Sequence, residues 1–340
     1  TLKTVNGGQT WEQVYTRQSP NGNWTSRGLD VTTAYSIVFD PYDSNHVFIP
    51  TTDIGLMESR DGGQAWKSAT EKNGVPRDWV NTTYWMVFDP EVKGRAWAVM
   101  SGDHDLPRPK MWRNRKISTY TGGILITGDA GKTWTPVSSQ IGEAAMTHIL
   151  MDPASPVENR ILYACAFGKG VYKSVDGGKT WVQKNNGLPA TEPFAWQITR
   201  RDRDGALFLV VSRRSEDGSI GNDLDGSVYR SDDGAESWTK IALPEGCNGP
   251  TTIALDPDHP EKIILSAWGR KTSGKLTSDK DGGIFISDDA GKTWKHVFDR
   301  DQHVGAITYD KRNKRFYACG FNAAAWYSDD QGLNWKKIRG

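Results

Sequence analysis

The most constraining feature of this sequence is a bend motif, Ser/Thr-x-Asp-x-Gly-x-x-Trp, that recurs along its 340 residues. The Asp side chain can hydrogen-bond backbone amides of the turn, and the Gly allows backbone angles that are closed to other residues. The Trp begins the next strand, where its large ring can be buried between neighbouring sheets. Seven copies, the first with Asn for Asp and the fifth with Ala for Gly, begin at Thr4, Ser59, Thr127, Ser174, Ser231, Ser287 and Ser328.

A second pattern interleaves with the bends. Hydrophobic runs ending in Asp-Pro, each followed by a short β run, occur at Ile37–Pro41, Met86–Pro90, Ile149–Pro153 and Ile253–Pro257. With one strand entering each bend and one leaving its Trp, a repeat has four strands and no helical period between them. Such units at intervals of roughly 40 to 70 residues are typical of a propeller. We therefore predict an all-β fold, a single β-propeller domain of four-stranded antiparallel blades over residues 1–340.

The position of the first bend limits the blade count. Because this bend begins at Thr4, residues 1–20 are expected to form a partial blade and residues 30–340 six complete ones. We expect seven blades by extrapolation, and what completes the first is left open.

Composition excludes several classes of protein. A formal net charge of +1 argues against a nucleic-acid binder, which usually has a strong basic excess. No apolar run approaches the roughly 20 residues that span a bilayer, so no membrane partner is expected. The three cysteines are an odd number without metal-ligand spacing, so we expect small core residues rather than a disulfide framework. No metal or cofactor is predicted, and a monomer is expected.

The bend is identified as the Asp box, or bacterial neuraminidase repeat, of sialidase-like propellers. The segment VFDPYDSNHVFIPTTDIGLMESRDGGQAW resembles the opening blade of the xyloglucanase-type endoglucanases. In that family a Thr-Asp-Ile/Val-Gly segment carries a catalytic carboxylate, and the match of Thr52–Gly55 implies this role for Asp53. A sialidase is not favoured, because Phe48-Ile49-Pro50 lacks the arginine of the Arg-Ile-Pro segment that this resemblance would imply.

The register of the blades predicts which residues share the functional rim. The four strands of a blade are labelled A to D in chain order, so that each Asp box is a C–D turn on one side of the propeller. The connections between strands B and C and the starts of strands A lie on the other side, where binding loops concentrate. We predict Asp53 and Asp103 as an acid/base pair, assisted by His104 or His148. The predicted substrate-binding residues are Tyr84, Trp85, Asp105, Lys169, Trp196, Arg213, Arg214, Trp268, Arg270 and His303.

These residues favour a carbohydrate-active enzyme. Two carboxyl groups are typical of glycoside hydrolysis, and the expected substrate is a plant or algal polysaccharide or oligosaccharide. The resemblance implies a secreted or periplasmic protein, although the chain, which begins at Thr1, shows no signal peptide. One alternative is a polysaccharide lyase or exo-enzyme on an anionic, uronate-containing glycan that uses His, Tyr and Arg. Another is a non-catalytic propeller that binds a glycan or protein.

Overall fold

The computed structural model describes residues 2–14, 16–26, 32–106, 108, 114–215, 218–221, 223–270, 281–301, 303–321 and 324–338. The chain divides into two compact units. The first comprises Thr1–Asp105, Ser118–Leu162 and Ser174–Trp181, and the second comprises Leu106–Ile117, Tyr163–Lys173 and Val182–Gly340.

Two small hairpins precede the blades. Strands β1 (Leu2–Lys3) and β2 (Glu12–Gln13) flank the first Asp box, and β3 (Thr16–Gln18) pairs with β4 (Trp24–Ser26). The second hairpin lies beside the first blade, because Trp24 and Trp66 exchange backbone hydrogen bonds.

Six four-stranded sheets follow, each with its strands in chain order, and they are the described blades of a β-propeller. The first three consist of β5 (Val38–Asp40), β6 (Asp43–Pro50), β7 (Leu56–Ser59) and β8 (Lys67–Ser68); β9 (Thr82–Phe88), β10 (Ala96–Ser101), β11 (Gly122–Thr127) and β12 (Thr135–Pro136); and β13 (Met146–Met151), β14 (Leu162–Ala166), β15 (Gly170–Ser174) and β16 (Val182–Gln183). The last three consist of β17 (Ala195–Arg200), β18 (Leu207–Val211), β19 (Ser227–Ser231) and β20 (Thr239–Ile241); β21 (Pro250–Asp256), β22 (His259–Ala267), β23 (Gly283–Ser287) and β24 (Lys295–Phe298); and β25 (Val304–Asp310), β26 (Arg315–Gly320), β27 (Ala324–Ser328) and β28 (Lys336–Lys337). Short 3-10 helices lie at Arg77–Trp79, Ile117–Thr119 and Val157–Asn159.

The hydrophobic cores lie between successive blades. In the first unit, Phe48 of the first blade packs with Met86 and Phe88 of the second. In the second unit, one core contains Phe208 of the fourth blade and Leu265 of the fifth. Another contains Ile264 of the fifth blade and side chains of the sixth. Burying one such side chain contributes about 1.5 to 3 kcal/mol to the free energy of folding. Apolar packing between the faces of neighbouring sheets therefore stabilises the blades.

All seven Asp boxes fold in the same way. In the second box, Ser59 Oγ donates to Asp61 Oδ1 at 2.8 Å, while the amides of Gly63 and Ala65 donate to these two side chains. The first box keeps this pattern with Asn6 in place of Asp. In the six four-stranded blades this network closes the turn between the third and fourth strands.

Three expectations differ from the structure. The seventh blade is not confirmed, because the described residues hold six four-stranded sheets and the first Asp box lies on the two-stranded β1–β2 sheet. Trp11 of that box is 59% exposed, since these two short strands give its ring no blade face to pack against. Cys165 and Cys247 are buried as expected, whereas Cys319 is exposed on β26.

Candidate functional site

Asp53 lies in the tight turn between β6 and β7. The Thr51 amide donates to the Gly55 carbonyl at 2.9 Å, which closes the turn. Asp53 has a φ of 66° and Gly55 one of 74°, and a Cβ atom on Gly55 would lie 2.6 Å from the Val80 carbonyl oxygen. The Asp-Ile-Gly sequence therefore fits a turn that requires glycine at its end. The Asp53 side chain is 52% exposed, so its carboxylate is accessible to a ligand.

The connection that follows β10 brings His104 to Asp53. His104 Nδ1 lies 3.3 Å from Asp53 Oδ1 and 3.7 Å from Asp105 Oδ2. This buried nitrogen makes no well-directed hydrogen bond within the described part of the chain. The imidazole is therefore placed between two carboxylates, one half exposed and one whose side chain is only 11% exposed. This group of three joins the first two blades.

Asp103 directly precedes His104 and is buried. Its amide donates to Ser101 Oγ at 2.8 Å, and its carbonyl accepts a 2.9 Å hydrogen bond from the Tyr84 hydroxyl. Tyr84 is itself 1% exposed and packs on Tyr35, with ring centroids 4.8 Å apart. In this arrangement Tyr84 supports the Asp103 connection from beneath rather than offering a surface to a substrate.

His148 and Trp85, near the starts of β13 and β9, form a pair of rings tilted by 38° to each other. Their ring centroids are 4.5 Å apart, and His148 is 5% exposed. Burial lowers the pKa of His148 to about 3, because the charged imidazolium is poorly solvated there. His148 is therefore neutral at pH 7, which does not suit a proton donor. Its place in the first unit is that of a packing partner for Trp85.

In the second unit, the predicted basic residues are already engaged. Arg213 Nη1 donates to Asn248 Oδ1 at 2.9 Å, and burial lowers the pKa of Arg213. The Arg214 guanidinium lies 4.1 Å from the Phe194 ring centroid, and Arg270 Nε donates to Asp281 at 2.8 Å. Each of these arginines thus has a structural contact within its own unit.

The other predicted residues of this unit differ in their settings. The Lys169 carbonyl accepts hydrogen bonds from Gln183 and Asn185, which close the turn after β14. Trp196 is half-buried against a core cluster, as a packing residue would be. Trp268 is half-buried beside His303, with ring centroids 4.8 Å apart. Trp268 therefore lies within a group of aromatic rings.

Two residues near Trp268 were not predicted as ligand contacts. Phe321 is 60% exposed with its ring centroid 5.2 Å from that of Trp268, and Arg108 lies 5.1 Å from the Phe321 centroid. Phe321 directly follows β26, the second strand of its blade, which is a position that the sequence predicts for the rim. Arg108 lies in the long insertion after Asp103, where no repeated motif marks its position. Other rim and loop residues considered from the sequence, namely Trp112, Lys271 and Asn322, lie outside the described residues.

Two features are absent from the described residues. No group of three or more His, Cys, Asp or Glu side chains there could hold a metal ion. No helix in that part of the chain is long and apolar enough to cross a membrane.

Comparison with protein families gives two matches. Residues 116–304, more than half of the chain, match the family model described as DUF6242 beta propeller domain. Residues 326–337 match the BNR/Asp-box repeat.

Curated relatives fall into two groups. An oligoxyloglucan-reducing end-specific xyloglucanase of Emericella nidulans is 24% identical over 276 residues, covering 77% of this chain and 26% of the relative. Sortilin of Rattus norvegicus is 21% identical over 335 residues, covering 97% of this chain and 35% of the relative. The chain therefore spans about a quarter to a third of the length of these relatives.

Solved structures with similar folds also come from both enzymes and binding proteins. The GH74 enzyme of Niastella koreensis has a TM-score of 0.60 at 18% identity, with 89% of this chain and 46% of that chain covered. YCF48 bound to D1 peptide has a TM-score of 0.56 at 18% identity, with coverages of 90% and 82%. Similarity at this level of identity shows the fold alone.

Proposed function

We propose, given that the chain belongs to the DUF6242 β-propeller domain family, that it is a glycoside hydrolase acting on a plant or algal polysaccharide. The observation that carries this proposal is the accessible Asp53 carboxylate, held 3.3 Å from His104 in a Thr-Asp-Ile-Gly turn. The xyloglucanase relatives support the same reaction class. A secreted or periplasmic monomer is part of the proposal.

The proposed reaction uses two carboxyl groups. One, as a carboxylic acid, gives its proton to the glycosidic oxygen while the bond to the anomeric carbon breaks. The other takes a proton from the water that attacks that carbon. Asp53 is the group of the predicted pair that a substrate can reach, and Asp103 lies nearly buried on the adjacent connection.

Replacement of Asp53 tests the proposal. Asp53→Asn keeps the side-chain shape but can neither donate nor accept the proton, so activity should fall by at least about 100-fold. The measurement is reducing-sugar release from a glycan panel that includes xyloglucan. Asp43→Asn is the matched control, because Asp43 is exposed in the same unit and lies at the opposite end of β6 from Asp53. Full activity of Asp53→Asn would refute the role of Asp53.

A non-catalytic binding propeller is the second candidate. The matches to sortilin, over 97% of the chain, and to YCF48 bound to D1 peptide, over 90%, support this candidate. Binding of glycans by the parent protein without release of reducing ends would favour this candidate. The lyase alternative has less support, since Arg213 and Arg270 already donate to Asn248 and Asp281. Release of unsaturated uronate products would favour it nevertheless.

A further inference from the structure

The side chains of Asp53 and Asp105 both lie close to one nitrogen atom, Nδ1 of His104. Both contacts are measured from His104 Nδ1, at 3.3 and 3.7 Å, so the two contacting oxygens lie at most about 7 Å apart. Asp103, the residue predicted as the second carboxyl, precedes His104, and its backbone hydrogen-bonds with Ser101 and Tyr84.

We propose that Asp105 is a positioning residue that acts on Asp53 through His104, an inference that rests on the proposed hydrolase activity. A neutral imidazole with its proton on Nδ1 has one donor there, and two carboxylates compete for it. While Asp53 carries its proton, a small rotation of the imidazole brings Nδ1–H to the Asp105 carboxylate. When Asp53 has given that proton to the glycosidic oxygen, the ring rotates back and Nδ1–H donates to the new carboxylate, which stabilises it. Only hydrogen bonds change at His104 in this step.

The surroundings of Asp105 suit such a role. Its side chain is 11% exposed against 52% for Asp53, so Asp105 is held by the protein while Asp53 faces solvent. Its φ of 54° fixes it in the left-handed region, which Asp and Asn tolerate better than most residues. An Asn substitution therefore preserves this backbone while removing the charge.

The first measurement is the kinetics of Asp105→Asn on the glycan that the parent cleaves best. We expect kcat to fall about 10- to 100-fold with KM within about twofold, because misorienting a reacting group can cost this much without changing binding. Asp105→Asn also removes one of the two negative charges beside His104 Nδ1, so the pH profile of kcat should move to lower pH. A merely structural defect would lower the amount of active enzyme and leave the profile in place.

A double-mutant cycle with His104→Gln is decisive. If Asp105 acts through His104, Asp105→Asn should change kcat by less than about twofold in the His104→Gln background. Additive losses, or an Asp105→Asn variant with the parent's kcat and pH profile, would overturn the inference and leave the hydrolase proposal standing. A parent protein that cleaves no glycan would refute the proposed function and this inference with it. Thermal unfolding of each variant provides the check on folding.

Discussion

At the scale of single residues, the fifth position of the Asp box shows how the local backbone selects the side chain. Gly63 and Gly131 have φ angles of 89° and 80°, a region in which a Cβ atom costs about 1 to 2 kcal/mol per residue. The fifth box has Ala235 at this position with a φ of 72°. The fifth box therefore accepts a methyl group at this position.

The space around each turn should determine how much an alanine at the fifth position lowers the free energy of unfolding. A Cβ atom on Gly131 would lie 2.7 Å from Cζ of the buried Phe48 ring, whereas at Gly63 its nearest neighbour is Trp66 at 3.5 Å. Gly63→Ala should lower the free energy of unfolding by about 1 kcal/mol. Gly131→Ala should lower it by about 1 to 3 kcal/mol more, because the ring must move. Urea unfolding of both variants tests this, and equal losses would contradict it.

The candidate site was predictable in part from single residues. The register of the repeats placed Asp53 and His104 on B–C connections of successive blades, and the structure places them 3.3 Å apart. The sequence could not show the burial of His148, because burial depends on the Trp85 ring of another blade. Nor could it show that Asp105 shares His104 with Asp53, since that depends on the path of a loop without a repeat.

At the scale of elements, the A–B turns link neighbouring blades by charge. Asp89 directly follows β9, the first strand of the second blade, and Arg160 precedes β14. Arg160 donates to both carboxylate oxygens of Asp89 at 2.9 Å, and both side chains are fully buried. Burial would raise the pKa of Asp89, but hydrogen bonds from Arg160, the Glu91 amide and Arg95 lower it to about 2. The pair therefore remains ionised.

Removing Arg160 should strongly destabilise the protein. Arg160→Met leaves the Asp89 carboxylate buried with Arg95 as its remaining charged partner, and we expect a loss of about 3 kcal/mol. The matched control is Lys314→Met, which breaks an exposed ion pair with Asp258 and should cost less than about 1 kcal/mol. Chemical denaturation measures both. Similar losses for the two variants would show that the buried pair adds nothing beyond an ordinary surface contact.

The fold was more predictable than the site, because its signals are repeated. The prediction of a β-propeller with four-stranded blades is confirmed. The runs at Met86–Pro90 and Ile253–Pro257 correspond to β9 and β21. Extrapolation to seven blades is not confirmed, because it counted bends rather than strands. An Asp box closes its own turn with local hydrogen bonds, as at Thr4, and therefore forms without a complete blade.

At the scale of the whole molecule, the carboxyl groups of the turns share one electrostatic character. The pKa is lowered at the Asp of all six boxes that carry one. For Asp233 it falls to about 2, because the Ser237 side chain and amide and the Ser231 hydroxyl donate to the carboxylate. These turns lie along most of the chain, so acidification should affect the blades together.

The sign of the pH dependence follows from these lowered values. A carboxyl whose pKa is lower in the folded state contributes stability that is present above its unfolded pKa, near 3.9, and is lost as the pH falls through the folded value. We therefore expect acid unfolding between about pH 4 and about pH 2, measured by tryptophan fluorescence and circular dichroism.

Repulsion between positive charges also destabilises the folded state at low pH, because the carboxylates become neutral while 42 Lys and Arg stay charged. Added salt screens that repulsion but acts less on hydrogen bonds within a turn. If the turns dominate, the midpoint should move little between low and high salt, and a large shift would assign acid unfolding to net charge instead.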